Sequence, residues 1–184
     1  MEEKKHTYKD SLKELVPYVI IILTVVLIRS FLFSPIKVNG TSMTNTLHDG
    51  DTMILNKISY KFSNLKRFNI VVIKTENSYL IKRIIGLPGE KIKYEIKDNK
   101  GILYINGKKV DEEFIDEDTK VKTCSIDSDL CKDGILIPKD HYFVMGDNRG
   151  DSIDSRIIGV VDIKNITGTT RLVLFPIKDI GIVK

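Results

Sequence analysis

Two hydrophobic patterns divide the chain: a continuous apolar run near the N-terminus, and short β-type runs after it. Residues 15–28 are almost entirely apolar, and with residues 31–33 the run approaches the roughly 20 residues that cross the hydrocarbon core of a bilayer. Arg29, near its outer end, can extend its charge to the lipid interface. The pattern therefore predicts a transmembrane anchor at residues 15–34.

A cleaved signal peptide and a buried helix are the two alternative interpretations of this run. A signal peptide also has a charged stretch before an apolar core, but it ends at a small-x-small cleavage site. Residues 31–35, FLFSP, contain no such site. The lysines of residues 1–14 favour a cytoplasmic N-terminus, although acidic residues interleave with them. We expect residues 1–14 inside the cell and residues 35–184 outside.

After residue 36 the chain consists of short β-type runs separated by turn signals. Asn106-Gly107 is the strongest hairpin signal, because both residues tolerate the positive φ angles of a type I′ turn. Further turns are predicted at residues 87–89 and 98–101. The fold class is therefore mostly β, one domain of antiparallel sheet with an exposed polar insertion near residues 110–135. The predicted strands are residues 52–55, 70–73, 79–85, 91–96, 102–105, 142–145 and 171–175.

Charge and cysteine content limit the classes of partner. The formal net charge of +4 is dispersed, so nucleic acid is not an expected partner. Cys124 and Cys131 bracket a short polar loop and either form a disulfide outside the cytosol or remain free thiols. No CxxC or paired-histidine spacing indicates a metal site, and we expect neither a metal nor a cofactor.

Ser42 and Lys82 are the candidate catalytic residues. A serine hydroxyl becomes a good nucleophile when a neighbouring base accepts its proton. A lysine can be that base when burial lowers its pKa. Strand alternation places Lys82 on one face with Leu80 and Ile84, while Arg83 faces the other way. These apolar neighbours favour a Ser-Lys dyad over a lysine that points to water.

A Ser-His-Asp triad is the main chemical alternative. His6 precedes the apolar run, which leaves His48 and His141 as bases, with Asp147 or Asp154 as the third member. His141 comes directly before a predicted strand, a position typical of a surface histidine.

Three blocks, in order along the chain, resemble the bacterial type I signal peptidases. They are GTSMTNTL around Ser42, YLIKRIIGLPGE around Lys82, and GDNRGDSIDSRIIG at residues 146–159. The hairpin ILYINGKKV is also similar, so the resemblance covers essentially the whole chain. It implies a signal-peptidase/LexA-like β fold and a membrane-anchored serine endopeptidase that removes signal peptides from exported preproteins. Cleavage would follow small residues in an Ala-x-Ala-like pattern.

The resemblance also assigns roles residue by residue. Ser42 matches the family nucleophile, whose backbone N–H serves the oxyanion hole, and Lys82 matches the general base. Ser152 matches the serine that positions the lysine ammonium, and Asp147 matches the partner of Arg83. Further matches are Asp154 and Arg156 as a second ion pair, and Val38, Met43, Leu47, Leu80 and Ile81 as the lining of shallow P1 and P3 pockets.

Three positions depart from the family pattern. Asn45 stands where the family usually has proline, so the turn after Ser42 is less constrained. Gly40 has no hydroxyl to add to the oxyanion hole, which leaves the second donor unassigned. Arg67-Phe68-Asn69 stands where Arg-Gly-Asp is common.

The resemblance places the chain in the cell membrane as a single-pass protein, with a cytoplasmic N-terminus and an extracytoplasmic catalytic domain. Its implied partners are preprotein signal peptides, membrane lipid and the secretion translocase. Two other functions stay open. A non-proteolytic homologue could act as an assembly factor or chaperone for surface proteins. A self-cleaving repressor-type protease would need a DNA-binding module where residues 1–37 form a membrane segment.

Overall fold

The computed structural model describes residues 8–58 and 65–183, without the side chains of residues 8–12 and 29–31. Residues 1–7 of the predicted cytoplasmic segment lie outside the described residues, as does the Arg29 side chain. The described chain begins with helix α1, Tyr8–Phe31. Its large apolar side chains between Leu15 and Ile28 are 46–64% exposed. In the described ranges, no helix combines the length and apolarity that a membrane span needs.

The rest of the described chain is mostly β, as predicted. Its strands are β1 Phe33–Lys37, β2 Thr52–Asn56, β3 Ile70–Lys74, β4 Tyr79–Gly86, β5 Lys91–Lys97, β6 Lys100–Ile105, β7 Lys108–Val110, β8 Ile135–Leu136, β9 His141–Met145, β10 Val161–Asp162, β11 Ile166–Phe175 and β12 Gly181–Ile182. Its helices are α2 Glu117–Val121, α3 Asp129–Lys132 and α4 Ser155–Ile158, with 3-10 turns at Ile163–Asn165 and Ile177–Asp179.

The strands form two antiparallel sheets. The larger sheet has the order β1-β2-β11-β3-β4-β9-β10, with β12 beside β11, and the smaller has the order β7-β6-β5-β8. Register shifts at Thr170/Leu172 and Val173/Phe175 interrupt the pairing of β11 with β2. On its other side β11 pairs with β3, which pairs with β4. Strand β4, which carries Lys82, is therefore an interior strand of the larger sheet.

The two hairpins of the smaller sheet have the turn chemistry that the sequence predicts. Asn106 and Gly107 have φ angles of 50° and 79° between β6 and β7. Asp98 and Asn99 have φ angles of 51° and 63° between β5 and β6. Two consecutive residues at positive φ match the right-handed twist of a hairpin.

All seven predicted strands are present, and the main omission is β1. This strand contains Pro35, which has no N–H to donate to a neighbouring strand. The proline is tolerated because β1 forms one edge of the sheet. Phe33 and Ser34, assigned by the hydrophobic pattern to the anchor, belong to β1. Strand β11 begins at Ile166, five residues before the predicted start.

The polar insertion predicted near residues 110–135 is largely at the surface, but it has more structure than a plain loop. The segment folds into α2 and α3 and buries Glu112, Ile115, Thr123 and Leu130. Leu130 joins the hydrophobic cluster that includes Tyr94 of β5. The many charged residues of the segment conceal these few buried positions, which carry no clear periodicity. A disulfide joins Cys124, in the segment between α2 and α3, to Cys131 within α3.

We expect the double variant Cys124→Ser/Cys131→Ser to be less stable by about 2.5 kcal/mol, because the disulfide limits the unfolded chain over a short loop. Urea denaturation of both proteins measures the difference. Adding a reductant should lower the stability of the wild type to that of the variant and leave the variant unchanged. Equal stability of the oxidised wild type and the variant would contradict this expectation.

Candidate active site

Ser42 lies in a compact turn that follows β1. Backbone hydrogen bonds from Thr46 and Leu47 to the Met43 carbonyl, at 2.8 and 2.7 Å, close this turn. Met43 and Leu47 are 1% and 0% exposed, so apolar burial holds the turn against the body of the protein. Ser42 itself is only partly buried, and its hydroxyl remains within reach of a ligand.

Lys82 meets this serine from β4. Its Nζ lies 2.6 Å from Ser42 Oγ, and the residue is 2% exposed. Burial lowers the pKa of Lys82, because the charged amine loses its water; Asp154 opposes this shift and Arg156 adds to it. Among the described side chains, that of Lys82 is the one that hydrogen-bonds to Ser42 Oγ. A neutral amine in this place can accept the hydroxyl proton.

The loop that follows β9 holds the serine turn from the other side. The Asn148 N–H donates to the Ser42 carbonyl at 3.0 Å, and its side-chain amide donates to the Thr41 carbonyl at 3.2 Å. The Thr41 hydroxyl donates to Asp151 at 2.7 Å. These contacts tie both ends of the Thr41–Ser42 peptide segment to one loop, so the Ser42 backbone depends on the position of that loop.

Gly146 is the place where the loop approaches the serine most tightly. A Cβ at this residue would lie 2.4 Å from the Ser42 carbonyl oxygen and 2.3 Å from Ser152 Oγ. Only glycine permits this approach without a shift of the backbone. The Ser152 hydroxyl is buried here, and it lies close enough to the Asp154 carboxyl to help lower the pKa of that group.

Two ion pairs flank the serine and the lysine. Arg83 and Asp147 are both fully buried, with Nη2 and Oδ2 2.6 Å apart, and Arg83 also donates to the Thr46 hydroxyl at 3.1 Å. Asp154 meets Arg156 at 2.8 Å and accepts the Gly146 N–H at 3.0 Å. Burial alone would raise the Asp154 pKa, but the Arg156 guanidinium and this N–H hold it below its ordinary value.

A groove of about 660 Å³ leads to Ser42. Residues 35–39 form one wall and residues 78–82 form the other, with Met43 beside the serine. Val38, Leu80 and Ile81, which the resemblance assigned to substrate pockets, are among its lining residues. Leu47 is not among them: it is fully buried in the hydrophobic cluster behind Met43. The groove is mostly apolar.

Neither histidine of the alternative triad hydrogen-bonds to the Ser42 hydroxyl in the described part of the chain. His141 begins β9, and its ring nitrogen Nδ1 is 2.8 Å from the Lys139 carbonyl. His48 is exposed, and its backbone N–H donates to Asp51. In residues 8–58 and 65–183, no group of three or more His, Cys, Asp or Glu side chains is arranged to hold a metal ion.

Comparison with known proteins identifies the family of the chain. The family model of signal peptidase, peptidase S26, matches residues 12–175. The chain belongs to this family. A signal peptidase I of Bacillus licheniformis is 42% identical over 97% of each chain. Signal peptidase I T of Bacillus subtilis strain 168 is 41% identical over 97% of this chain and 91% of its own. The crystal structure of a signal peptidase I from Enterococcus faecalis V583 covers 58% of this chain and 97% of its own, with 29% identity and a TM-score of 0.46.

This member of the S26 family also contains a buried polar network that sequence reasoning missed. Arg149 forms an ion pair with Glu112, and its Nη1 lies 3.2 Å from the Tyr94 hydroxyl. All three residues are at most 4% exposed. Arg149 belongs to the GDNRGDS block, which was a usable signal. Glu112 stands in the acidic stretch 111–113, where nothing in the sequence marks one carboxylate as buried.

We expect Gly146→Ala to destabilise the protein by about 1–3 kcal/mol, because its Cβ would press on the Ser42 carbonyl. The matched control is Gly150→Ala in the same loop, where the nearest atom is Lys122 Cδ, 2.6 Å away in a flexible side chain. That variant should stay within about 0.5 kcal/mol of the wild type. Urea denaturation compares the three proteins, and equal loss in both variants would contradict the assignment of the tight contact.

Proposed function

We propose that this chain is a membrane-anchored serine endopeptidase that removes signal peptides from exported preproteins. The observation that carries the proposal is the 2.6 Å contact between the buried Lys82 amine and the Ser42 hydroxyl, at the end of an apolar groove. Family membership supplies the reaction class, and the groove supplies a place for an extended peptide.

The substrate binds in the groove as an added strand. Strand β1 is an edge of the larger sheet, and the pairing of β4 with β9 begins only at Arg83. Backbone groups of β1 and of residues 79–82 therefore face the groove, where an extended peptide can hydrogen-bond to them. Val38, Leu80 and Ile81 leave room for small side chains at P1 and P3 and exclude larger ones by steric clash.

Catalysis begins with proton transfer. Neutral Lys82 accepts the Ser42 proton while Oγ attacks the scissile carbonyl carbon, and a tetrahedral intermediate forms. The Ser42 N–H, which donates to no other described atom, stabilises the oxyanion. The protonated Lys82 then gives its proton to the leaving amine, and the acyl-enzyme remains. Lys82 next accepts a proton from the water that hydrolyses this ester.

Five further residues orient the lysine and the serine without reacting. Ser152 matches the family serine that positions the lysine amine, and its buried hydroxyl lies beside Gly146. Asp154 and Arg156 oppose each other in their effect on the Lys82 pKa, so the pair holds the loop without fixing the charge of the amine. The Arg83–Asp147 pair links β4 to the same loop.

Helix α1 anchors the enzyme in the membrane, with the N-terminus in the cytoplasm and the catalytic domain outside. The support is the continuous set of exposed apolar side chains from Leu15 to Ile28. The Thr24 hydroxyl donates to the Ile20 carbonyl at 2.8 Å, and a polar group in lipid needs such an internal partner. Residence in the membrane that holds the signal peptide raises the effective concentration of the substrate and orients its cleavage site.

The decisive test incubates the detergent-solubilised chain with a preprotein that carries an Ala-x-Ala site. We expect one cut after the second alanine, identified by N-terminal sequencing of the product, and none with Ser42→Ala or Lys82→Met. Cleavage at the wild-type rate by Lys82→Met would exclude the dyad. If the wild type binds the preprotein and leaves it uncut, the chain is an assembly factor or chaperone instead.

The pH dependence follows from the lowered pKa of Lys82. Only the neutral amine is a base, so kcat/KM should rise as pH rises through that pKa, below the ordinary value of 10.5. Between the folded and unfolded pKa values the unfolded state binds more protons, so wild-type stability also rises with pH there. Lys82→Met should lack this rise and be no less stable at neutral pH, as denaturation at several pH values can measure.

Membrane insertion is tested by flotation with lipid vesicles. We expect the wild type to float and Ile22→Lys/Val25→Lys to remain in the dense fraction, because each charge at the centre of a span costs about 2.5–3.5 kcal/mol. Ile22→Leu/Val25→Leu is the matched control and should float. Both variants should still cleave a short soluble peptide, since α1 contributes no group to the groove. Flotation of the lysine variant would contradict the anchor.

A further inference from the structure

The buried network around Arg149 joins the smaller sheet to the loop that holds Ser42. The Arg149 guanidinium pairs with Glu112, which follows β7, and contacts the Tyr94 hydroxyl of β5 and the Thr123 hydroxyl at 3.2 and 3.3 Å. Tyr94 in turn donates to Glu112 Oε1 at 2.9 Å. Burial raises the pKa of Tyr94, so the hydroxyl keeps the proton that it donates.

Arg149 also hydrogen-bonds to the backbone of this loop. Its Nε donates to the Gly146 carbonyl at 3.1 Å, and its own carbonyl accepts Arg156 Nη1 at 2.7 Å. The loop between these points carries Asn148, whose N–H binds the Ser42 carbonyl at 3.0 Å. A chain of direct contacts therefore runs from Glu112, through Arg149, to the backbone of the nucleophile.

The contacts between Gly146 and Ser42 leave little room for either backbone to move. The Gly146 Cα stands so close to the Ser42 carbonyl that an added Cβ would lie 2.4 Å from it. A shift of Gly146 is thus passed directly to the Ser42 peptide group. Ser42 must keep both its Oγ near Lys82 and its N–H toward the oxyanion, and misplacement by about 1 Å can cost about 100-fold in rate.

We propose that Glu112 is a positioning residue for the peptidase reaction, acting through Arg149 and the Gly146–Asn148 loop on the Ser42 backbone. This inference rests on the proposed function, since it concerns the rate of that reaction. Glu112 follows β7 of the smaller sheet and contacts neither Ser42 nor Lys82 in the described structure. Its carboxylate acts by holding a buried guanidinium that would otherwise lack its counter-charge.

The test is Glu112→Gln in the full chain, with steady-state cleavage of the preprotein. The amide keeps the shape of the side chain but removes the charge that holds Arg149. We expect kcat to fall about tenfold to 100-fold while KM changes less than about twofold, because the groove is untouched. The pH profile should keep the wild-type midpoint at a lower plateau. A shifted midpoint would mean that Glu112 acts on the Lys82 charge, and would overturn the proposal.

Glu90→Gln is the matched control. Glu90 forms a partly exposed bidentate ion pair with Arg67 at 2.6 Å, and it binds the Leu87 N–H and not the serine loop. This variant should lose stability and keep kcat. If both variants lose activity only in proportion to the fraction unfolded, Glu112 has a structural role alone and the proposal is wrong.

Tyr94→Phe decides the matter if Glu112→Gln does not fold. It removes one hydroxyl from the network and should lower kcat several-fold with KM unchanged; an unchanged kcat would refute the proposal. The proposed function is judged separately, by the wild type and Ser42→Ala. A wild type that does not cleave would contradict both the proposed function and the role of Glu112. An active wild type with a fully active Glu112→Gln variant would contradict only the role of Glu112.

Discussion

The contact between the Lys82 amine and the Ser42 hydroxyl places an ionisable group where almost no water reaches it. Burial disfavours the charged form of the amine, because that form loses its water, and the pKa of Lys82 is lowered as a result. The same burial that makes the amine a usable base therefore lowers the stability of the fold at neutral pH. Strand β4 holds Lys82 by its pairing with β3, which runs from Tyr79 to Arg83, while the pairing with β9 begins at Arg83.

The second requirement is a fixed backbone for the serine, and one loop meets it. Residues 146–154 bond to the Ser42 turn and are held in turn by two buried arginines, Arg83 and Arg149. Buried ion pairs of this kind contribute little net stability compared with apolar packing. Their geometry is directional, however, and both pairs converge on the loop. We interpret them as devices that orient the loop, which agrees with a site whose chemistry depends on small distances.

Much of the architecture could be predicted from local patterns. The seven predicted strands, the Asn106-Gly107 hairpin and the antiparallel class follow from alternation and turn chemistry, which act over a few residues. Strand β1 was missed because an edge strand can hold Pro35 against its propensity. The helices of the insertion near residues 110–135 were not foreseen, because burial of a few side chains among many charges leaves no local signal.

The candidate active site also has some features that local sequence predicts and others that depend on the fold. By itself the sequence determined that Ser42 and Lys82 are candidates, since an apolar stretch around a lysine and the three family-like blocks are local features. Only the tertiary structure decided that these atoms meet, that Leu47 lies behind the groove, and that Glu112 supports the loop through Arg149. Such contacts join residues far apart in the chain, and their existence depends on sheet register and loop packing, which no short stretch of sequence specifies.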